Sequence, residues 1–502
     1  MLIFILLFLI SLTTFYTVYW KRRNLPPGPI PLPFVGNILD LYKFGIFDCL
    51  PHFRQKFGDL YTIWFGEQPF VTFNNYELIY ESFVKNGDAF AGRPKNKFIA
   101  ELVRGGEYGI VLTDGPLWRE HRRFALHVLR NFGLGKNLMQ ERVLNEVSWL
   151  LEDLKMQVKN KEPEISVQKS IDVAIGSVIN SLVFGYSFHE TSLDEFYTIK
   201  GFLKRFSRMA GSSKFRVLAG DKYNILRKLP VFSGMYNHAQ KEMSVIKTFF
   251  YKQITERMAK INFDEDSEPT DYVEAYLRQQ KKLEDSGEKD HLYSNQQLFG
   301  SVFDLWLAGQ ETTSNTLAWL VLYLMTNPEA QTKLHLELSK IIGSDRIISL
   351  DDKNSLPYVN AVIAETQRLC NLLPHNVPHR LINDVNIHGY SLKADTIVVP
   401  QISQVLYDEK IFPEPHKFIP ERFLDSDGKF QTKPELIPFS VGKRACLGES
   451  LARLELYLFA SNLFNHFEIN ILASKPANTT RIMGGTVQPE AFVCQLKERY
   501  IS

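Results

Sequence analysis

The stretch from Ser294 to Asn327 constrains this chain more than any other. Its pattern is helical and it is apolar on several faces, through Phe299, Val302, Phe303, Trp306, Leu317 and Trp319 among others. A helix that is apolar all round runs through a core. Asn327-Pro328 closes it, because a residue before proline is pushed out of the helical region, and Pro328 is well placed to start the next helix. Yet the middle of this helix reads "AGQETTS", Ala308 to Ser314. A glycine, a glutamate and three hydroxyls at the centre of a core helix break the packing rule. Such local violations are expected at functional sites.

The rest of the chain fits a large body around that helix. From about Pro116 onwards the pattern is mostly helical. "DLYTIWFGEQPFVTF", Asp59 to Phe73, is rich in β-branched and aromatic residues and reads as a hairpin with its turn at Gly66 to Pro69. Short strand-like pieces return at Asp384 to Pro400. Asn262 to Asp271 and Lys281 to His291 are charged loop candidates, and there is no internal repeat. The expected fold class is mainly α with small β-sheets, as one body rather than the roughly three domains that 502 residues suggest.

The first residues belong to a different solvent. Leu2 to Trp20 contains no charged residue over 19 positions, close to the ~20 that cross a bilayer as a helix. Lys21, Arg22 and Arg23 follow directly. Basic residues stay on the cytoplasmic side, so the body is expected in the cytosol. A cleaved leader would have a charged start, a shorter apolar run and a small-residue cleavage site, and none is evident. Leu25 to Asn37 holds five prolines and makes a stiff spacer. A net charge of +2 argues against nucleic acid as partner, because phosphate binding needs clustered basic charge. Cys49, Cys370, Cys446 and Cys494 show no paired spacing, so neither a disulfide framework nor a zinc ribbon is expected.

Cys446 stands in a special frame. "FSVGKRACLGE" places it between Arg444 and Gly448, with "ACLGESLARLELYLFASNLF" forming a helix pattern that starts at the cysteine. A thiol at a positive helix end is easier to deprotonate and becomes a metal ligand. Gly442 permits a tight bulge, and Gly448 permits close approach of a flat ligand.

This stretch resembles the haem-binding loop of the cytochrome P-450 family, F-x-x-G-x-R-x-C-x-G, at Phe439, Gly442, Arg444, Cys446 and Gly448. "AGQETT" (Ala308 to Thr313), "ETQR" (Glu365 to Arg368) and "PERF" (Pro420 to Phe423) match the family's other motifs in order and spacing. The anchor, the basic triplet and "PPGP" resemble its microsomal branch, and "GPLWREHRRFALHVLRNFG" (Gly115 to Gly133) its drug- and lipid-metabolising group. The resemblance implies an anchor at 2–20, a hinge at 21–37 and a haem-thiolate catalytic domain at 38–502, on the endoplasmic reticulum membrane.

It also implies roles. Cys446 is the axial iron ligand, whose thiolate favours O–O cleavage. Trp118, Arg122, Arg444, His379 and Arg104 hold the haem propionates. Trp118 and Arg122 lie four apart and so share a helix face. Glu365, Arg368 and Arg422 form a buried structural network behind the haem. Glu311 and Thr312 relay protons on the oxygen side, and a helix loosened at Gly309 makes room for oxygen and water. The substrate pocket is drawn from Phe98, Ile99, Leu102, Val103, Phe303, Leu307, Ala308, Leu373, Val377 and Met483, with His375 and Asn376 as polar groups that orient a substrate. Mostly apolar lining implies a lipophilic small molecule: a xenobiotic, steroid or fatty acid.

Electrons come from outside, because there is no glycine fingerprint for a dinucleotide. NADPH–cytochrome P-450 reductase is the implied partner, with cytochrome b5 as a second candidate. Arg119, Arg123, Arg130 and Lys136 offer a basic face to an acidic protein. Ile225 to Met235 mixes apolar and basic residues and either meets the membrane surface or covers the core. Two other functions compete with the monooxygenase. A haem-thiolate isomerase or dehydratase acting on peroxides often lacks the acid–threonine pair, which this chain has. A haem-binding sensor without turnover needs neither that pair nor a pocket.

Overall fold

The computed structural model describes residues 1–45, 49–133, 137–191, 193–211, 215, 223–265 and 267–500. It divides into two compact units, each discontinuous in sequence. The first comprises Met1–Asn96, Leu373–Pro415 and Pro434–Cys446; the second comprises Lys97–Leu372, His416–Lys433 and Leu447–Ser502.

In the first unit, Leu2–Val18 forms one helix whose apolar side chains are almost all exposed, Leu2 at 81% and Phe8 at 67%. Such exposure is expected of a helix whose solvent is lipid. Strands Leu60–Phe65 and Gln68–Phe73 pair antiparallel, with Leu60 opposite Phe73 and Trp64 opposite Pro69. The turn is therefore only Gly66-Glu67, shorter than the sequence pattern suggests, and Pro69 belongs to the second strand. Ile397–Pro400 adds in parallel beside Gln68–Phe73, and His379–Arg380 closes the four-stranded sheet. Val71, Phe73, Phe83, Phe90, Leu381 and Val398 pack into one core cluster in this unit.

The second unit is helical. Its central helix spans Asn295–Thr326. Ser294 caps it, its hydroxyl accepting from the Gln297 N–H at 3.1 Å, which satisfies one of the orphan donors of the first turn. The helix stops at Asn327, and Pro328 opens the helix Pro328–Ile341. Trp306 and Trp319 are fully buried. Helix Val167–Phe184 packs against it. A side chain at Gly309 would put its Cβ 2.8 Å from Ile179 Cδ1 on that neighbour. Gly309 is thus a packing glycine. The expected loosening there does not occur: Asn295–Thr326 is continuous α-helix.

Candidate active site

The central helix shows an anomaly of burial. Trp306, Gln310, Thr313 and Ser314 are buried, but Leu307, Gly309, Glu311 and Thr312 keep partial access and Ala308 is exposed. This accessible surface in the middle of the longest core helix puts Leu307, Ala308 and Thr312 on a side that packed side chains do not close, while Gly309 faces Ile179 and Gln310 is buried. The three hydroxyls go to three different partners. Thr312 Oγ1 donates to the Ala308 carbonyl one turn back, at 2.5 Å. Thr313 donates to the buried Glu455 carboxyl at 3.0 Å, and burial pushes that acid up to about 8. Ser314 donates to Asp172. Only Thr312 has its side chain on the open face.

Glu311 lies next to Thr312 in sequence, but its carboxylate is held by other groups. Oε1 accepts from Lys200 Nζ at 2.7 Å; Oε2 accepts from Gln488 Nε2 at 3.1 Å and Asn315 Nδ2 at 3.4 Å. Lys200 also reaches Asp172 Oδ1 at 3.0 Å. Burial alone would lower the Lys200 ammonium, but the two carboxylates outweigh it and raise it. Neither Lys200 nor Asp172 belongs to a motif, and the contact pairs residues 111 positions apart, so no local pattern announces it.

Cys446 sits on a tightly braced loop of the first unit. Its backbone N–H donates to the Phe439 carbonyl at 2.9 Å. Gly442 has φ +76°, and a Cβ there would fall 1.9 Å from the Phe83 carbonyl oxygen; no other residue fits that approach. Asn376 Nδ2 donates to Ser440 Oγ at 2.9 Å and Pro400 O at 3.3 Å. Asn376 therefore braces the loop, where the sequence suggested a substrate contact. The helix begins at Glu449, with Gly448 as its cap. It starts later than expected because Cys446 bonds backwards, and the first intrahelical acceptor is Gly448 O, which takes the Ala452 N–H at 2.9 Å. The thiol itself is exposed, while Cys49, Cys370 and Cys494 are buried. Burial pushes the Cys370 and Cys494 thiols up to about 12, which disfavours the thiolate that binds metal.

Three basic side chains gather near this loop in the same unit. Arg444 Nε donates to Ala91 O at 2.7 Å. His379 Nδ1 lies 2.7 Å from Phe90 O. Arg93, 6% exposed, donates to the Val377 and Pro378 carbonyls at 3.1 and 2.9 Å. Burial, then the charges of Arg93 and Arg444, hold the His379 imidazole well below its ordinary value. Two guanidinium groups close enough to suppress a neighbouring imidazole suit a carboxylate ligand. The sequence pointed to Arg444 and His379 but missed Arg93; its position in "AGRP", just before the strand-poor stretch, carries no distinguishing signal.

Arg104 does not join such a set. Its guanidinium binds the Asp304 carboxylate, with Nε at 3.1 Å, inside the second unit, and lies over the Phe303 ring at 5.6 Å. Asp304 also accepts the Ile110 and Val111 N–H groups at 2.7 and 2.8 Å. The extra residues around "RGGEYGIV" are pinned by this pair, which holds the Arg104 guanidinium on Asp304. Trp118 is buried and Arg122 half-buried on the helix Gly115–Asn131.

The network of Glu365, Arg368 and Arg422 forms as expected. Glu365 and Arg368 are fully buried. Arg368 Nε and Nη2 donate to the two carboxylate oxygens at 2.7 and 2.8 Å. Arg422 Nε and the Ile419 N–H donate to Glu365 Oε1 at 3.2 and 2.9 Å, tying the 417–422 segment to the helix Pro357–Cys370.

The apolar candidates divide. Phe98 is buried and meets Phe215 edge-on at 5.5 Å; Leu102 and Val103 are buried and Ile99 partly so. Phe303 is packed among Phe250 and Phe299 under Arg104, so it belongs to the core rather than to an open wall. Leu307, Ala308 and Met483 keep accessible surface in the second unit, as do Leu373 and Val377 in the first.

The cytochrome P450 family matches residues 26–494 of this chain. Cytochrome P450 2C8 of Homo sapiens is 33% identical over 481 residues, covering 94% of both chains. Cytochrome P450 2C23 of Rattus norvegicus is 35% identical over 470 residues, 92% of this chain and 91% of the relative. Cytochrome P450 2G1 of Oryctolagus cuniculus is 33% identical over 485 residues, 95% of each.

Proposed function

The chain belongs to the cytochrome P450 family, haem monooxygenases acting on lipophilic small molecules, and from that premise we propose that Cys446 is its iron ligand and the 307–312 face of the central helix its oxygen and substrate wall. One observation carries the reading: Cys446 is the exposed cysteine of the four, on a loop shaped by a glycine that nothing can replace. The residues fit haem in kind. Arg93, His379 and Arg444 in the first unit, with Trp118 and Arg122 in the second, would take the propionates. When bound, haem supplies the redox iron at which dioxygen is activated, and a thiolate ligand favours O–O cleavage.

The protein's own work is positional and protonic. The apolar side chains of Leu307, Ala308 and Met483 keep bulk water from the reacting face and admit an apolar substrate. The Thr312 hydroxyl, anchored on Ala308 O, holds a proton at that face, and Glu311 is the acid that replenishes it. The alternative isomerase reading has no need of this pair. Thr312→Ala keeps helix propensity and leaves the haem-holding residues intact. The expected outcome is continued NADPH consumption with less product per NADPH and more peroxide. Unchanged coupling across several substrates would remove Thr312 from the relay.

Electrons come from a separate redox partner; NADPH–cytochrome P450 reductase is the partner we assign, with cytochrome b5 as a second donor. Arg119, Arg123 and Arg130 are exposed on one helix and offer the basic face; Lys136 lies outside the described residues. NADPH consumption with purified reductase and a lipophilic panel separates monooxygenase from isomerase and sensor. We place residues 38–502 in the cytosol as the catalytic domain, behind an anchor at 2–20 in the endoplasmic reticulum membrane and a hinge at 21–37. Ile225 and Val231 are each 67% exposed, which supports a second membrane contact. Deleting residues 2–20 is expected to release much of the protein from membranes. Asn478, in "NTT", is exposed and should carry no glycan in cells; a glycan there reverses the orientation.

A further inference from the structure

A single ammonium stands between two carboxylates beside the proposed relay. Lys200 comes from the helix Leu193–Gly211, Asp172 from Val167–Phe184 and Glu311 from the central helix. Lys200 Nζ lies 2.7 Å from Glu311 Oε1 and 3.0 Å from Asp172 Oδ1. An ammonium has three donors and serves both, but its charge balances only one of them. The other groups that meet the cluster are neutral: Ser314 on Asp172, Asn315 and Gln488 on Glu311, and Gln310 on the Asp172 carbonyl. Among the described residues, Tyr197 on Lys200's own helix is the further titratable group that senses Asp172, and Asp153 acts on the same phenol. Burial raises Asp172, and Lys200 and Ser314 offset only part of this.

We propose that Lys200 and Asp172 are positioning residues for Glu311: the two carboxylates compete for the one ammonium, so that Asp172 sets how firmly Lys200 holds the Glu311 carboxylate. This rests on the assignment of Glu311 to proton supply. As long as Lys200 is drawn by Asp172, the Glu311 Oε1 contact is exchangeable and the acid can trade a proton with water at the Thr312 face. Without Asp172 the whole charge of Lys200 falls on Glu311 and clamps it. Because Lys200 rides on a different helix from Glu311, a shift of the helix Leu193–Gly211 would change the clamp directly.

The test uses the full-length holoprotein in detergent with reductase. Infrared difference spectra identify the Glu311 carboxylate band as the one lost in Glu311→Gln. Asp172→Asn is expected to move that band and to slow product formation on the order of tenfold, a fraction of the ~10²-fold or more that a positioned acid contributes. Asp172→Asn with Glu311→Gln should be no slower than Glu311→Gln alone, the non-additivity of groups acting as a unit. Lys200→Arg should restore band and rate, and Lys200→Met should move the band in the opposite sense to Asp172→Asn; should Lys200→Met fail to fold, the Arg and Asn variants decide. An unmoved band in Asp172→Asn, or additive losses, marks an ion pair of structural value only and overturns the proposal. If Glu311→Gln leaves the rate untouched, the assignment of Glu311 falls and its positioning has no catalytic purpose; if Glu311→Gln is slow and Asp172→Asn is not, the positioning alone fails.

Discussion

Cys446→Ser is expected to abolish the reduced, carbon-monoxide-bound absorption band of thiolate-ligated haem and to remove monooxygenase activity. An alcohol is far weaker than a thiol as an acid, so the substitution removes the anionic ligand while changing almost nothing in volume. Folding should survive, because the loop is held by the Cys446 backbone N–H, Gly442 and Asn376, none of which needs the sulfur. The same change at Cys494 or Cys370 should leave the band intact, since both are buried: Cys494 begins a strand paired with Phe467–Ile471, and Cys370 ends a helix. A thiolate band that persists in Cys446→Ser would move the ligand elsewhere in the chain.

Arg368→Ala is expected to be the most damaging change away from the haem face. Its guanidinium covers both oxygens of a fully buried carboxylate. Breaking one side of such a pair costs about 3–5 kcal/mol; Arg422 and the Ile419 N–H stay on Glu365 Oε1, so the loss is expected near the lower end of that range, with Oε2 left buried without its guanidinium. That is a large fraction of the ~5–15 kcal/mol by which a protein is stable. The variant should accumulate poorly and retain little haem, measured as holoprotein per total protein. Arg368→Lys keeps the charge but loses the fork that meets both oxygens, and should fall between. Removing Glu365 as well will not rescue it, because Arg422 and the Ile419 N–H also depend on that carboxylate. Wild-type levels of haem-loaded Arg368→Ala would show that water replaces the guanidinium without penalty.

Signals that live within a few residues of one another were legible before any coordinates. An apolar run of bilayer length, a helix apolar on several faces with an Asn327-Pro328 stop, and the Glu365–Arg368 spacing each follow from local geometry, and each has its expected form. The frame of Cys446 was legible in part: the positive φ of Gly442 is a local need of the turn, but the Phe83 carbonyl that excludes a side chain there comes from far away in sequence, and the helix expected to start at the cysteine starts at Glu449. What the local sequence does not carry is the partner of a long, charged side chain. Arg104 has Asp304, 200 residues on, and Glu311 has Lys200, 111 residues back. Arg93 meets the carbonyls of Val377 and Pro378. Gly309, alone in a polar motif, reads as a place where a helix loosens, until the packing of Ile179 against it shows why it is small. The sequence by itself determined which elements form and which residue types the chemistry draws on, since dihedral preference and periodic burial act along the chain. Only the tertiary structure decided which charge neutralises which, because a buried charge takes whatever opposite charge the packing of distant helices brings within ~4 Å.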